Sequence, residues 1–245
     1  MSKLGPHVLG GSSAAEAMIS AGCKIVKLVS DFGLASHAVS KGATVIGRSI
    51  SVYPNSDGRV VTAESMRHIN PIDAAILFVN LQSETYRLNP LIKIWEGPNE
   101  PVWAGAGEGG EEDLDWCSRF EAKRLQLLSA TGLRGVIGNF SVGRPDIDQP
   151  GVDLWSHFSL AVSEAIRLDG ILGLHEYSSP WMWWMTGNFQ DGVVQNDWST
   201  WAGADGWVTL RYRKVLRLLT SLGLGAIKIA ITECGLDRIS PVPQG

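Results

Sequence analysis

Seven short apolar runs, each followed by a stretch with helical spacing, recur along the chain. They are "HVLG" (7–10), "CKIVKLVSD" (23–31), "ATVIGRSI" (43–50), "LIKIW" (91–95), "RGVIGNF" (134–140), "ILGLHEY" (171–177) and "AIKIAITE" (226–233). The runs are continuous rather than alternating, which is the pattern of parallel strands covered on both faces. Helical punctuation falls between them. Ser13 with Glu16 reads as a capping box, Asn70-Pro71 opens "NPIDAAILFVNLQSETYRL", and Gly132 closes "DLDWCSRFEAKRLQLLSATG". Parallel strands joined through helices leave two architectures, an open doubly wound sheet or a closed barrel.

Polar residues at the strand ends choose between them. Asp31, Arg48, Glu100, Asn139, His175, Tyr177 and Glu233 close many different strands. A barrel gathers such residues at one mouth, whereas an open sheet concentrates them at a single switch point. The expected fold is therefore an α/β (β/α)8 TIM barrel, with residues 1–245 as a single barrel domain. Only seven strands are legible, and "CGLDRISPVPQG" stands where an eighth unit would begin. The expectation is that the eighth β/α unit is missing from this chain, because unpaired first and seventh strands would be an aggregation liability.

Charge narrows the partners. The formal net charge is −4 and basic residues are scattered, so neither nucleic acid nor an anionic membrane is an expected partner. The start, "MSKLGPHVLG", has no signal-peptide h-region, which leaves a cytoplasmic protein or a secreted one whose signal is not in this sequence. Cys23, Cys117 and Cys234 are odd in number and far apart, against a disulfide framework. His7, His37, His68, His157 and His175 show no metal-ligand spacing. Neither a metal nor a cofactor is expected.

Two carboxylates stand out. Glu100 lies in "WEGPNEPVW" (95–103) after the fourth strand, and Glu233 closes the seventh. In an eight-stranded barrel those strand ends face each other across the mouth. Paired carboxylates are the equipment of glycoside hydrolysis, one giving a proton and the other attacking the anomeric carbon or activating water. The alternatives are a helix-capping loop carboxylate for Glu100 and a buried ion pair, with Arg48 or Arg238, for Glu233. In "HEY" a period of two puts His175 and Tyr177 on one face and turns Glu176 away. His7, at the end of the first strand, is placed to line the mouth. All ten tryptophans lie at or after residue 95, six of them within 181–207. Trp103, Trp181, Trp183 and Trp184 on the same rim suit stacking against sugar rings.

"NEP" (99–101), "HEY" (175–177) and "ITECG" (231–235), on strands four, six and seven, resemble the clan A glycoside hydrolases, which include the family five cellulases and mannanases. The likeness covers strands four to seven with matching order and spacing, and strands one to three loosely. It implies a retaining (β/α)8 enzyme acting on a β-glycosidic bond of an oligo- or polysaccharide, without a cofactor. By it Glu100 is the acid/base and Glu233 the nucleophile, Asn99 bonds the sugar 2-hydroxyl, and His175 and Tyr177 take the clan's His-x-Tyr positions. Arg48 would be the cation beside the nucleophile, on the third strand where the clan has it on the second.

Other readings stay open. A non-catalytic carbohydrate-binding barrel would keep the tryptophan platform without turnover, and a lyase would use a glutamate as base. "GAGEGG" (105–110) matches a dinucleotide pattern, but it follows no strand directly and its flanking acids would repel a pyrophosphate. Cys234 beside Glu233 has no histidine in sequence reach and reads as packing.

Overall fold

Isoleucine, valine and leucine at alternate and consecutive positions make the seven runs strands, as their continuity predicts. A computed structural model describes residues 4–49, 53–54, 60–61, 66–101, 110–147, 153–178, 189–190, 193–194 and 209–236. The strands of the main sheet are β1 (His7–Val8), β2 (Ile25–Val29), β3 (Thr44–Arg48), β4 (Ile94–Glu96), β5 (Arg134–Phe140), β6 (Ile171–Ser178) and β7 (Lys228–Leu236). They pair in chain order, every pair parallel.

The sheet curls almost into a closed barrel. In a flat sheet β2 and β7 would stand roughly 24 Å apart, five strand spacings. Instead the Lys27 ammonium of β2 lies 2.8 Å from the Glu233 carboxylate of β7. Seven parallel strands in a nearly closed barrel, alternating with helices, are the fold that the strand-end pattern predicted.

The helices are α1 (Ser13–Ser20), α2 (Ala35–Ser40), α3 (Pro71–Leu88), α4 (Glu111–Ala130), α5 (Leu154–His157), α6 (Ser159–Arg167) and α7 (Arg211–Ser221). Asn70 caps α3 by accepting the Ile72 N–H at 2.9 Å, as its sequence implied. The cap of α1 is Ser12, one residue before the expected capping box. Ser12 holds the extended backbone a cap needs, and its hydroxyl accepts the Ala15 N–H. Glu111, Glu112 and Asp113 place acid in the first turn of α4, where the helix dipole favours it.

Two apolar layers result. Outside the barrel, Ile137, Phe140, Leu172 and Leu174 pack with Trp155 and Val215 of the surrounding helices and with Phe158 between α5 and α6. Inside, Ile25, Ile46, Ile94, Val136, Ile171 and Ala230 contribute one residue each from six strands to an apolar belt. This belt is the floor on which the mouth stands.

No helix among the described residues is long and apolar enough to cross a membrane.

Candidate active site

Two residues beyond the belt, the same inner face turns ionic. Period two carries Ile25 to Lys27, Ile46 to Arg48 and Ile94 to Glu96, all three buried. On β7 strict alternation would put Thr232 there. The register between β7 and β6 shifts between Ile231 and Glu233, so that Ile231 stands opposite Leu174 and Glu233 opposite His175. Thr232 is the extra residue of this bulge, and the bulge turns Glu233 into the barrel.

Three side chains bond Glu233. Its Oε1 accepts from Lys27 Nζ at 2.8 Å and Arg48 Nη1 at 2.5 Å, and its Oε2 accepts from the Tyr177 hydroxyl at 2.9 Å. Burial alone would raise its pKa. The Lys27 hydrogen bond and charge, then His175 and Arg48, outweigh burial and hold the carboxyl at about 2. Tyr177 is pushed up from the ordinary phenol value by burial and by the Glu233 carboxylate. Glu96, fully buried, pairs with Lys27 at 2.9 Å and stands 3.8 Å from Arg48. Arg48 also hydrogen-bonds the Asn99 side-chain carbonyl, tying the third strand to the rim.

Glu100 sits differently. Its side chain is 39% exposed, and its Oε1 lies 2.7 Å from His175 Nδ1. Its backbone N–H donates to the Asn139 carbonyl at 3.1 Å. Both residues adopt positive φ, 37° for Glu100 and 47° for Asn139, and Asn139 is itself the bulged residue of β5. Backbone strain of this kind collects where neighbouring structure over-determines a site. His175 is buried, with Nδ1 toward Glu100 and Nε2 3.7 Å from Glu233 Oε1. His7 keeps its rim open to solvent, yet loss of hydration and then the Lys27 charge lower its pKa to about 4, against the pull of Glu233.

The structure thus gathers Glu100, Glu233, Asn99, Arg48, His175, Tyr177 and His7 at one mouth. Trp103, Trp181, Trp183 and Trp184 lie outside the described residues, as does Arg238. Glu176 turns away as its alternation predicted, accepting the Leu210 and Tyr212 N–H groups at the start of α7. His157 lies at the surface beside Asp115 and Glu111. Lys27 is what sequence reasoning missed. Its signal was a lone charge inside the apolar run "IVKLV", on the same face as Ile25.

One ligand atom each from Glu100, His175 and Glu233 lies within 4.8 Å of the others, a spacing a divalent cation could bridge. The Lys27 ammonium and the Arg48 guanidinium already hold Glu233 Oε1, and the Tyr177 hydroxyl holds Oε2. The two carboxylates thus sit in unequal environments, Glu233 half-buried among cations and Glu100 39% exposed beside His175.

No protein-family model matches the sequence, and a search among curated proteins returns no match. Among solved structures, the chain is similar to a glycoside hydrolase family 5 enzyme from Prevotella bryantii, solved with a xyloglucan tetradecasaccharide. That match has 13% identity and a TM-score of 0.49, covering 88% of this chain and 64% of that one. A GH30 endoxylanase from Clostridium papyrosolvens matches with 13% identity and a TM-score of 0.36, over 64% of this chain and 43% of that one. An L-ribulose 3-epimerase matches with 11% identity and a TM-score of 0.41, over 96% of this chain and 82% of that one.

Proposed function

We propose that this barrel is a retaining glycoside hydrolase of the clan A type, cleaving a β-glycosidic bond of an oligo- or polysaccharide by double displacement. One observation carries the reading: oxygens of Glu100 and Glu233 stand within 4.8 Å across the mouth, in unequal environments. This approach of single oxygens is compatible with the carboxyl separation of about 5–5.5 Å that a retaining mechanism uses, whereas an inverting one needs room for water and about 6.5–9.5 Å. Glu233, ionised between Lys27 and Arg48, attacks the anomeric carbon and forms a glycosyl ester. Glu100, open to the rim and oriented by His175, gives its proton to the departing glycosidic oxygen. In the second step Glu100 takes a proton from water, whose oxygen displaces Glu233 and restores the carboxylate. Asn99, fixed by Arg48, meets the sugar 2-hydroxyl. His7 lines the mouth as a neutral imidazole, and Trp103, Trp181 and Trp183 stack on the sugar rings. The substrate is a β-linked glucan, mannan or similar glycan.

The test is hydrolysis of a panel of aryl β-glycosides and β-linked polysaccharides by the wild type, Glu100→Ala and Glu233→Ala. Each variant is expected to fold and to lose at least about 10³-fold in kcat. Unchanged turnover in both would refute the assignment.

A second reading has its own observation. Both oxygens of Glu233 are already engaged by Lys27, Arg48 and Tyr177, as in a structural ion pair. This favours a non-catalytic carbohydrate-binding barrel. Oligosaccharide binding by calorimetry, with no hydrolysis of any panel member, would select it.

A further inference from the structure

We propose that Lys27 is a positioning residue for Glu233: its buried ammonium, anchored by Glu96, fixes the carboxylate that attacks the sugar. The inference rests on the glycosidase reading above.

The geometry isolates Lys27 for this role. Its side chain is 5% exposed and meets two carboxylates at once, Glu96 at 2.9 Å and Glu233 at 2.8 Å. Arg48 reaches the same Glu233 oxygen, but shares itself with Asn99 on the rim. Tyr177 holds the other oxygen. Glu233 is therefore held at three points, from the floor by Lys27, from the rim side by Arg48 and from β6 by Tyr177. Among these, Lys27 alone is backed by a fully buried counter-charge at hydrogen-bond distance.

A structural explanation fits less well. Stacking four ionised groups directly above an apolar belt carries a desolvation penalty, and well-packed apolar replacements of buried ion pairs are often neutral or stabilising. A layer kept for stability would extend the belt of Ile25, Ile46 and Ile94. What the ionic layer supplies is a carboxylate that stays charged and oriented in a half-buried setting, which is the requirement on a nucleophile.

The groups around Glu233 come from five strands besides its own. They are His7 on β1, Lys27 on β2, Arg48 on β3, and Glu96, Asn99 and Glu100 on and after β4. His175 and Tyr177 face it from β6, and Cys234 follows it on β7. Lys27 gives the largest downward contribution to the Glu233 carboxyl, ahead of His175 and Arg48. Without it, burial, the largest influence on this carboxyl and the one that favours protonation, is opposed by the weaker His175 and Arg48 charges.

The experiment uses protein carrying 13C-carboxyl glutamate, with the Glu233 resonance assigned by its loss in Glu233→Gln. In the wild type and in Lys27→Arg this resonance is expected to stay at its ionised position between about pH 4 and 8. In Lys27→Met and Lys27→Gln a titration step is expected within that range, up from about 2, a change of at least about 100-fold in the protonation equilibrium. The acid limb of the kcat/KM profile for an aryl β-glycoside should move up with it, KM changing less than kcat. A wild type that hydrolyses no glycoside would defeat the glycosidase reading, while the carbon titration still decides what Lys27 does to Glu233. A silent Glu233 in both uncharged variants overturns the proposal. Loss of the native fold in both also overturns it, by assigning Lys27 to stability.

Discussion

Tyr177 shows how much one side chain can be asked to do at this mouth. Its hydroxyl donates to Glu233 Oε2 at 2.9 Å, the oxygen that Lys27 and Arg48 leave free. A hydrogen bond to a charged group contributes about 1.5–3 kcal/mol. Tyr177→Phe should therefore lower kcat by about 10- to 100-fold with little change in the fold, measured by steady-state kinetics on an aryl glycoside. An unchanged kcat would remove Tyr177 from the machinery. Individual residues were unevenly legible. Glu100 and Glu233 stood out because carboxylates at the ends of apolar strands have few other uses. Lys27 did not, because a lysine inside a strand reads as an alternating outward position until its neighbours' facing is known.

At the scale of elements, the turn after β4 depends on α4. Glu121 and Arg124 form a buried pair at 2.6 Å, and Arg124 donates to the Val136 carbonyl at 2.5 Å. Gly97 passes directly over them: a Cβ there would lie 2.5 Å from Glu121 Oε1 and 3.0 Å from Arg124 Nη2. Gly97→Ala is expected to destabilise by about 1–3 kcal/mol through overpacking. It should also displace the loop carrying Asn99 and Glu100, so kcat falls more than KM changes. Denaturant midpoints with kinetics check this, and wild-type values for both would show that the dyad does not hold the loop. The bulges were the illegible part of this scale. Alternation along "AIKIAITE" counts Glu233 as outward-facing if Ile229 and Ile231 point outward, and only the extra Thr232 reverses it. A bulge depends on pairing between strands distant in sequence, as for His175 with Glu233 and Phe140 with Leu174, so local pattern does not announce it.

For the whole molecule, the charge layer sets an acid limit on stability. The Glu233 carboxyl is at about 2 when folded, against an ordinary value of 4.5. Its folded-state value is depressed, so its contribution is present above about 4.5 and lost as pH falls toward about 2. The size is on the order of 3 kcal/mol. His7 acts in a higher window: its folded value of about 4 lies below 6.5, so the unfolded chain takes up its proton first. Stability should fall as pH drops from about 6.5 to about 4, and fall further below that range. Thermal melts across pH would show both segments, and His7→Gln should flatten the upper one; a flat profile from pH 7 to 3 would contradict the charge layer. The barrel itself was the most legible feature, because a period of strands and helices repeated seven times admits few topologies.

In the proposed mechanism Glu233 becomes covalently glycosylated while Glu100 manages the proton. This is tested most directly by incubating the protein with activated 2-deoxy-2-fluoro-β-glycosides of glucose, mannose and cellobiose, then mapping the adduct by peptide mass spectrometry. The account predicts one added sugar, on Glu233 alone, with Glu233→Ala unlabelled and Glu100→Ala releasing its adduct more slowly. A label on Glu100, or turnover of the parent glycosides with inverted anomeric configuration and no adduct, would contradict it.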